Sequence, residues 1–324
     1  MHKNRKRYSF RIILLFVLTL LLLMASSWVC TVLYRNPGVL DNNNSLGILE
    51  EPENTIDVVA VGDSDVYSAV NPMILWKKHG ITAYDWSEAG AKMYDCRYYL
   101  KHICSRQTPR VVMISVNSLF ADDTRTDILD RKIRAALAYR FPVFEYHRYW
   151  RKIKMFPECL HSAHAVTKGF YARASREPAP KKKIRRYMKP SGGTVSVPAE
   201  AEKELMRCVE LAEGSGAKVL LIAIPCVKDW SFEKSAAMTD LAETEGLDLL
   251  DLSLQPEVKI NWRKDTCDGG EHLNYRGARK VSRFLGDYLK AHYDLPDHKG
   301  ENGFDRWEED YILYKKALAE RLAE

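Results

Sequence analysis

The side chains best suited to acyl chemistry lie in four short stretches. Gly62-Asp63-Ser64 closes an apolar run near the start of the main body, and Asp268-Gly269-Gly270-Glu271-His272-Leu273-Asn274 lies near its end. Between them, Gly90 and Asn117 each follow a segment that reads as a strand. A serine hydroxyl becomes a useful nucleophile only when a base takes its proton, and an imidazole serves as that base when an acid holds its tautomer. Ser64 is therefore the candidate nucleophile, His272 the base and Asp268 the acid. The tetrahedral oxyanion needs donors, and the candidates are the backbone N–H groups of Ser64 and Gly90 and the side-chain amide of Asn117. Each residue also has a purely structural reading. Gly-Asp-Ser is a common turn after a strand, a histidine before a helix can cap it, Gly90 can serve a tight turn, and Asn117 can cap a strand end. What favours catalysis is the set: Ser, Gly, Asn, then Asp and His, in order and each at an element boundary.

The elements that must position these residues follow from periodicity. Apolar, β-branched runs at 56–61, 83–86, 110–116, 218–224 and 247–252 predict five strands. Helical spacing predicts helices over 93–105, 202–213, 232–245 and 276–290. Strands separated by helices imply βαβ units and an α/β fold with a doubly wound, mainly parallel sheet. Sites in such sheets lie at the carboxyl ends of the strands, where Ser64, Gly90 and Asn117 fall. Residues 120–196 interrupt the alternation, and the KKKIRR run at 181–186, flanked by Pro and Gly, reads as a solvated loop.

The N-terminus belongs to a different solvent. Residues 12–34 carry no charge, and only Thr19, Ser26, Ser27 and Thr31 among them are polar. That run is long enough to cross a bilayer core of about 30 Å. Lys3, Arg5, Lys6, Arg7 and Arg11 precede it, which predicts a cytoplasmic N-terminus, a single membrane-spanning signal anchor and an extracytoplasmic body. A cleaved signal peptide is the alternative. The expected organisation is a basic flank and anchor over 1–35, a polar linker over 36–54, the main domain over 55–295 with an insertion at about 120–196, and a helical tail over 296–324. In the tail, Trp307, Tyr311, Tyr314 and Leu318 recur at helical spacing.

Composition narrows the function classes. The net charge is +6. The basic flank and the 181–186 run each supply five positive charges, so the remainder carries 6 − 10 = −4. A nucleic-acid-binding surface is not expected. Seven cysteines are scattered without a C-x-x-C pair, so no disulfide framework can be read. His161 and His164 lack a third ligand for zinc. No phosphate-cradling glycine motif is present, and the expectation is chemistry with no metal and no cofactor.

The GDS at 62–64, Gly90, Asn117 and the D…HxN segment at 268–274 resemble, in order, the four blocks of the SGNH (GDSL-like) family of serine esterases and acyltransferases. GDSDVYSAVNPMILWKKHGI at 62–81 and DGGEHLNYRGARKV at 268–281 are similar to a membrane-anchored, Gram-positive group within it, and FPVFEYHRYW at 141–150 and KGFY at 168–171 look like further features of that group. The resemblance implies a flavodoxin-like three-layer sandwich, with Ser64, His272 and Asp268 as triad and Ser64, Gly90 and Asn117 as oxyanion hole. It also implies action on O-acyl groups of a cell-envelope glycan or glycopolymer, beside a polytopic membrane-bound O-acyltransferase. Two departures stand out. Most members hold the acid three residues before the histidine, where this chain has Gly269; Asp268 stands four before and Asp265 seven before. The asparagine block reads S-V-N-S. Asp268 is the expected acid because Gly269 and Gly270 free the backbone between it and His272. A non-catalytic anchored protein that binds a polymer or partner, and a plain carbohydrate esterase, are the rival functions.

Overall fold

The computed structural model describes residues 2–35, 40, 43–120, 125–160 and 165–323. His161 and His164 lie outside them. Along the chain run α1 (His2–Arg35), β1 (Val58–Gly62), α2 (Ser64–Ala69), α3 (Pro72–His79), β2 (Ala83–Ser87), α4 (Met93–Ile103), β3 (Val111–Ser115), α5 (Arg125–Arg140), α6 (Val143–Tyr146), α7 (Phe156–Cys159), α8 (Lys181–Arg186), α9 (Ala199–Gly214), β4 (Lys218–Ala223), α10 (Phe232–Glu245), β5 (Asp248–Asp251), α11 (Tyr275–His292) and α12 (Asp305–Ala323). They divide into two compact units, residues 1–37 with 129–163, and residues 38–128 with 164–324.

In the first unit, α1 contains a 28-residue stretch, Arg7–Tyr34, with an 18-residue window of mean hydropathy 2.6, long and apolar enough to span a membrane. The end of this helix gathers aromatic partners. Tyr34 stacks on Tyr146 with ring centres 4.0 Å apart, and Trp28 meets Phe156 edge-on at 5.3 Å.

The second unit is built on a five-stranded, all-parallel sheet of order β2-β1-β3-β4-β5. Both faces are covered, which is why the strands read as continuous apolar runs. Val59, Val61, Val112, Ile114 and Leu221 point into one core with Leu100, Leu205 and Val209 of α4 and α9. Val58, Ala60, Val111, Met113 and Ile222 point into the other with Val281, Leu285 and Leu289 of α11. Chain order reverses between β1 and β3, and the carboxyl ends of the strands at such a switch point are where these folds place ligands.

Two segments differ from the sequence reading. The 181–186 run is a helix, because Pro180 opens it and Ile184 packs against the core while its basic residues face solvent. The supposed linker carries a 3-10 turn, Ser45–Glu50, whose Ile48 is buried. Residue 168 is a wholly buried lysine: its ammonium lies 2.7 Å from Glu51, 2.8 Å from Asp310 and 4.7 Å from the centre of the Trp307 ring. Helix α12 sets Trp307 and Tyr314 into the core, with Tyr311 and Leu318 half-covered beside them.

Candidate active site

β1 ends at Gly62, and a side chain there would collide with Val66 and Ser115. Glycine therefore lets the strand pass directly beneath α2. Asp63 caps α2 by accepting the Asp65 N–H at 3.1 Å, and Ser64 is the first residue of that helix. The hydroxyl thus stands at the carboxyl end of a central strand, beside the switch point.

The histidine arrives on a loop closed by its own hydrogen bonds. Thr266 bridges Leu273, the Thr266 hydroxyl accepts the Gly270 N–H at 2.8 Å, and the Asn274 side chain caps α11 while donating to the carbonyl of Lys264 at 2.9 Å. Gly269 and Gly270 take φ of +79° and +99°, a region costly for other residues. At Gly270 a side chain would also strike Val227 and Ala179. This bend folds Asp268 back onto the residue four positions later. One Asp268 oxygen accepts the His272 backbone N–H at 2.8 Å, and the other takes a short hydrogen bond from Nδ1 of the ring. The opposite nitrogen, Nε2, lies 2.8 Å from Ser64 Oγ. Ser64, His272 and Asp268 form one unbroken Ser–His–Asp relay.

Asp265 is turned away from the ring. It is buried against Lys280 Nζ at 2.6 Å and the Asn261 N–H at 2.7 Å. Asn117 clamps two strand ends: Nδ2 donates to the Ile224 carbonyl and Oδ1 accepts the Ile224 N–H, both at 2.8 Å. One Nδ2 hydrogen lies beyond that pair. Gly90 sits in the turn after β2 with φ +71°. Both flank the carboxyl edge that carries Ser64.

Two further side chains belong to the site: Arg173 had no sequence signal, and Tyr67 lies in the 62–81 stretch that carries the resemblance but was given no role there. Arg173 reaches the Asp268–His272 pair, with Nη1 3.5 Å from Asp268 Oδ2, 3.4 Å from His272 Nδ1 and 3.6 Å from Cys267 Sγ. Tyr67, one turn after Ser64, faces both Ser64 and Arg173; burial outweighs their influence and pushes its phenol up to about 12. The electrostatics of the acids diverge. Burial pushes the Asp268 carboxyl up, but hydrogen bonds from the His272 ring and amide, then the charges of His272 and Arg173, outweigh it and leave it below the usual range. Asp65 is pushed well above that range by burial, and Asp63, Asp229, Glu271 and Asp268 push the same way.

Asp268, Glu271 and His272 place ligand atoms within 4.8 Å of one another, a spacing that invites a metal reading. The contacts oppose it: both His272 nitrogens are engaged, and Glu271 pairs with Lys228 at 3.0 Å.

No protein-family model matches the chain. No curated protein matches it at a significant level. Solved structures do align. A candidate acylhydrolase from Bacteroides fragilis has 14% identity and a TM-score of 0.38 over 76% of this chain and 94% of its own. A candidate SGNH hydrolase from Slackia heliotrinireducens has 11% identity and 0.38 over 73% and 100%. A candidate lipolytic protein of the G-D-S-L family from Desulfitobacterium hafniense has 10% identity and 0.35 over 72% and 99%. Likeness at that level does not decide what the site does; the contacts of Ser64, His272 and Asp268 carry the chemistry.

Proposed function

We propose that the protein is an SGNH-type serine esterase or O-acyltransferase. The observation that carries this reading is the 2.8 Å contact between His272 Nε2 and Ser64 Oγ, backed by Asp268 on the other ring nitrogen. In the first half-reaction, Ser64 Oγ attacks the acyl carbonyl while His272 Nε2 takes the hydroxyl proton. The carbonyl oxygen becomes an oxyanion, for which the N–H groups of Ser64 and Gly90 and the Asn117 amide are the proposed donors. Collapse breaks the ester bond, His272 returns the proton to the departing alcohol, and the acyl group stays on Ser64. In the second half-reaction, water or an acceptor hydroxyl loses a proton to His272 and attacks the acyl-serine; collapse breaks the acyl–Oγ bond as His272 returns that proton to Ser64 Oγ. Asp268 holds Nδ1–H throughout and stabilises the imidazolium formed in each attack.

The substrate proposed is an O-acylated cell-envelope glycan or glycopolymer, reached by a body anchored outside the membrane through α1. A polytopic membrane-bound O-acyltransferase is the proposed partner. The first support is the basic flank before an apolar helix of spanning length. A C-terminal alkaline phosphatase fusion is expected to be active, and an inactive one beside a working cytoplasmic reporter rejects the topology. The chemistry is tested with detergent-solubilised full chain on p-nitrophenyl acetate. Hydrolysis that Ser64→Ala abolishes supports the reading, and equal rates in the two proteins reject it. Acyl transfer to added oligosaccharide, against release of free acid, separates transferase from esterase.

A further inference from the structure

The segment that carries Arg173 is sewn to the catalytic machinery on both sides. Tyr171 N–H donates to the Tyr67 carbonyl of α2 at 2.8 Å. On the other side, Tyr275 N–H donates to the Arg173 carbonyl at 2.9 Å, Glu177 N–H to Thr266 at 3.2 Å, and Gly269 N–H to Glu177 at 3.1 Å. The arginine backbone is thereby tied to the helix that carries Ser64 and to the loop that carries His272. Its guanidinium is held as well, 5.8 Å from the centre of the Tyr67 ring and 5.2 Å from that of Tyr171. Contacts with two ring faces at that range suit a planar guanidinium better than an ammonium.

The guanidinium stands on the Nδ1 side of the imidazole, whereas Ser64 faces Nε2. It therefore acts on the Asp268–His272 pair and not on the reacting atoms. With the Nδ1 proton directed at Asp268, the 3.4 Å approach of Nη1 to Nδ1 is no hydrogen bond; the attraction runs to the Asp268 oxygen and the Cys267 sulfur. The other charged and titratable groups around the pair are mostly acidic. Asp63 and Asp65 come from the turn after β1 and from α2, Glu271 from the loop itself, Asp229 from the segment after β4, and Glu177 from the strap. Lys228 is paired with Glu271, Lys92 acts on Asp63, and Tyr67 and Cys267 are held neutral by burial.

We propose that Arg173 is a positioning residue of the triad: held beside the Tyr67 and Tyr171 rings, its guanidinium keeps the Asp268 carboxylate ionised and aimed at Nδ1. This rests on the hydrolytic reading above. A coupled pair titrates as a unit, and a cation within about 4 Å lowers its proton affinity.

The test is the pH profile of kcat/KM for p-nitrophenyl acetate, measured on the detergent-solubilised full chain from about pH 5 to about pH 9. Wild type against Ser64→Ala is read first; if the two are equal, the hydrolytic reading fails and takes this inference with it. Given wild-type activity, Arg173→Met is expected to move the acidic limb up by about 0.5–1 pH unit and to lower the plateau about tenfold or more. Arg173→Lys keeps the charge and is expected to hold the limb near its wild-type place, with a reduced plateau from the lost ring contacts. Tyr171→Leu, which removes one of the two ring contacts, is expected to move the limb the same way as Arg173→Met but less, and it stands in if the methionine variant does not fold. A limb at its wild-type place in a folded Arg173→Met, or in Tyr171→Leu when it stands in, overturns the inference whatever happens to the plateau.

Discussion

Replacing Lys168 by methionine tests whether a buried charge lock joins three distant parts of the chain. The ammonium is fully buried and touches Glu51 beside the 3-10 turn and Asp310 on α12, at 2.7 and 2.8 Å. It also sits over Trp307 of α12. Methionine has similar length and leaves no large cavity, so the loss is electrostatic. Breaking a buried ion pair from one side costs about 3–5 kcal/mol because the partner charge is stranded. That is a large share of a total stability of about 5–15 kcal/mol. At about 2–4 °C per kcal/mol for a domain of this size, the melting temperature should fall by about 6–20 °C. Circular dichroism or differential scanning fluorimetry of the full chain in detergent measures it. The decisive variant is Lys168→Met combined with Glu51→Gln and Asp310→Asn. If stranded carboxylates cause the loss, neutralising both should return much of it. A triple variant no more stable than Lys168→Met alone would falsify the electrostatic account and leave lost packing on Trp307 as the cause.

Three other outcomes are expected. In ester hydrolysis, His272→Ala should be nearly inactive and Asp268→Asn should lose orders of magnitude while keeping a trace; Asp265→Asn should stay near wild type in rate, since its carboxyl binds Lys280 and not the ring, and a dead Asp265→Asn beside an active Asp268→Asn would reverse the roles. Asp85 is wholly buried, neither of its oxygens has a hydrogen-bond partner among the described residues, and burial holds its carboxyl well above the usual range. A raised folded-state value favours the fold fully below the unfolded value of about 3.9 and loses that advantage as pH rises, so Asp85→Asn should gain on the order of 1 kcal/mol near neutral pH and less at about pH 5; melting curves with a gain that shrinks as pH rises reject it. Deleting residues 300–324 removes buried Trp307 and Tyr314, the 2.7 Å bond from Asn71 to Tyr314 and the 3.1 Å bond from Trp76 to Glu308, so it should lower the melting temperature by several degrees; an unchanged value contradicts the packing of α12.

The alternation of strands and helices was legible in the sequence because a parallel sheet buried on both faces leaves unbroken apolar runs. The same logic put Ser64, Gly90 and Asn117 at strand ends, and the two glycines beside His272 announced a bend. What the bend does was decided in three dimensions. Asp268 and Asp265 both precede His272 and both are aspartates; only the positive φ of Gly269 and Gly270 turns the first toward the ring, and only α11 draws the second to Lys280. Arg173, Tyr67 and Lys168 lay beyond any periodicity. Arg173 rides an extended strap whose path is set by hydrogen bonds to residues about a hundred positions away in sequence, so no local pattern marks it. Lys168 opens the KGFY stretch at 168–171, but its role appears only when the fold closes Glu51 and Asp310 around it. Local patterns record which face of an element avoids water. Which charges meet inside depends on contacts between segments far apart in the chain, and those exist only once the chain has folded.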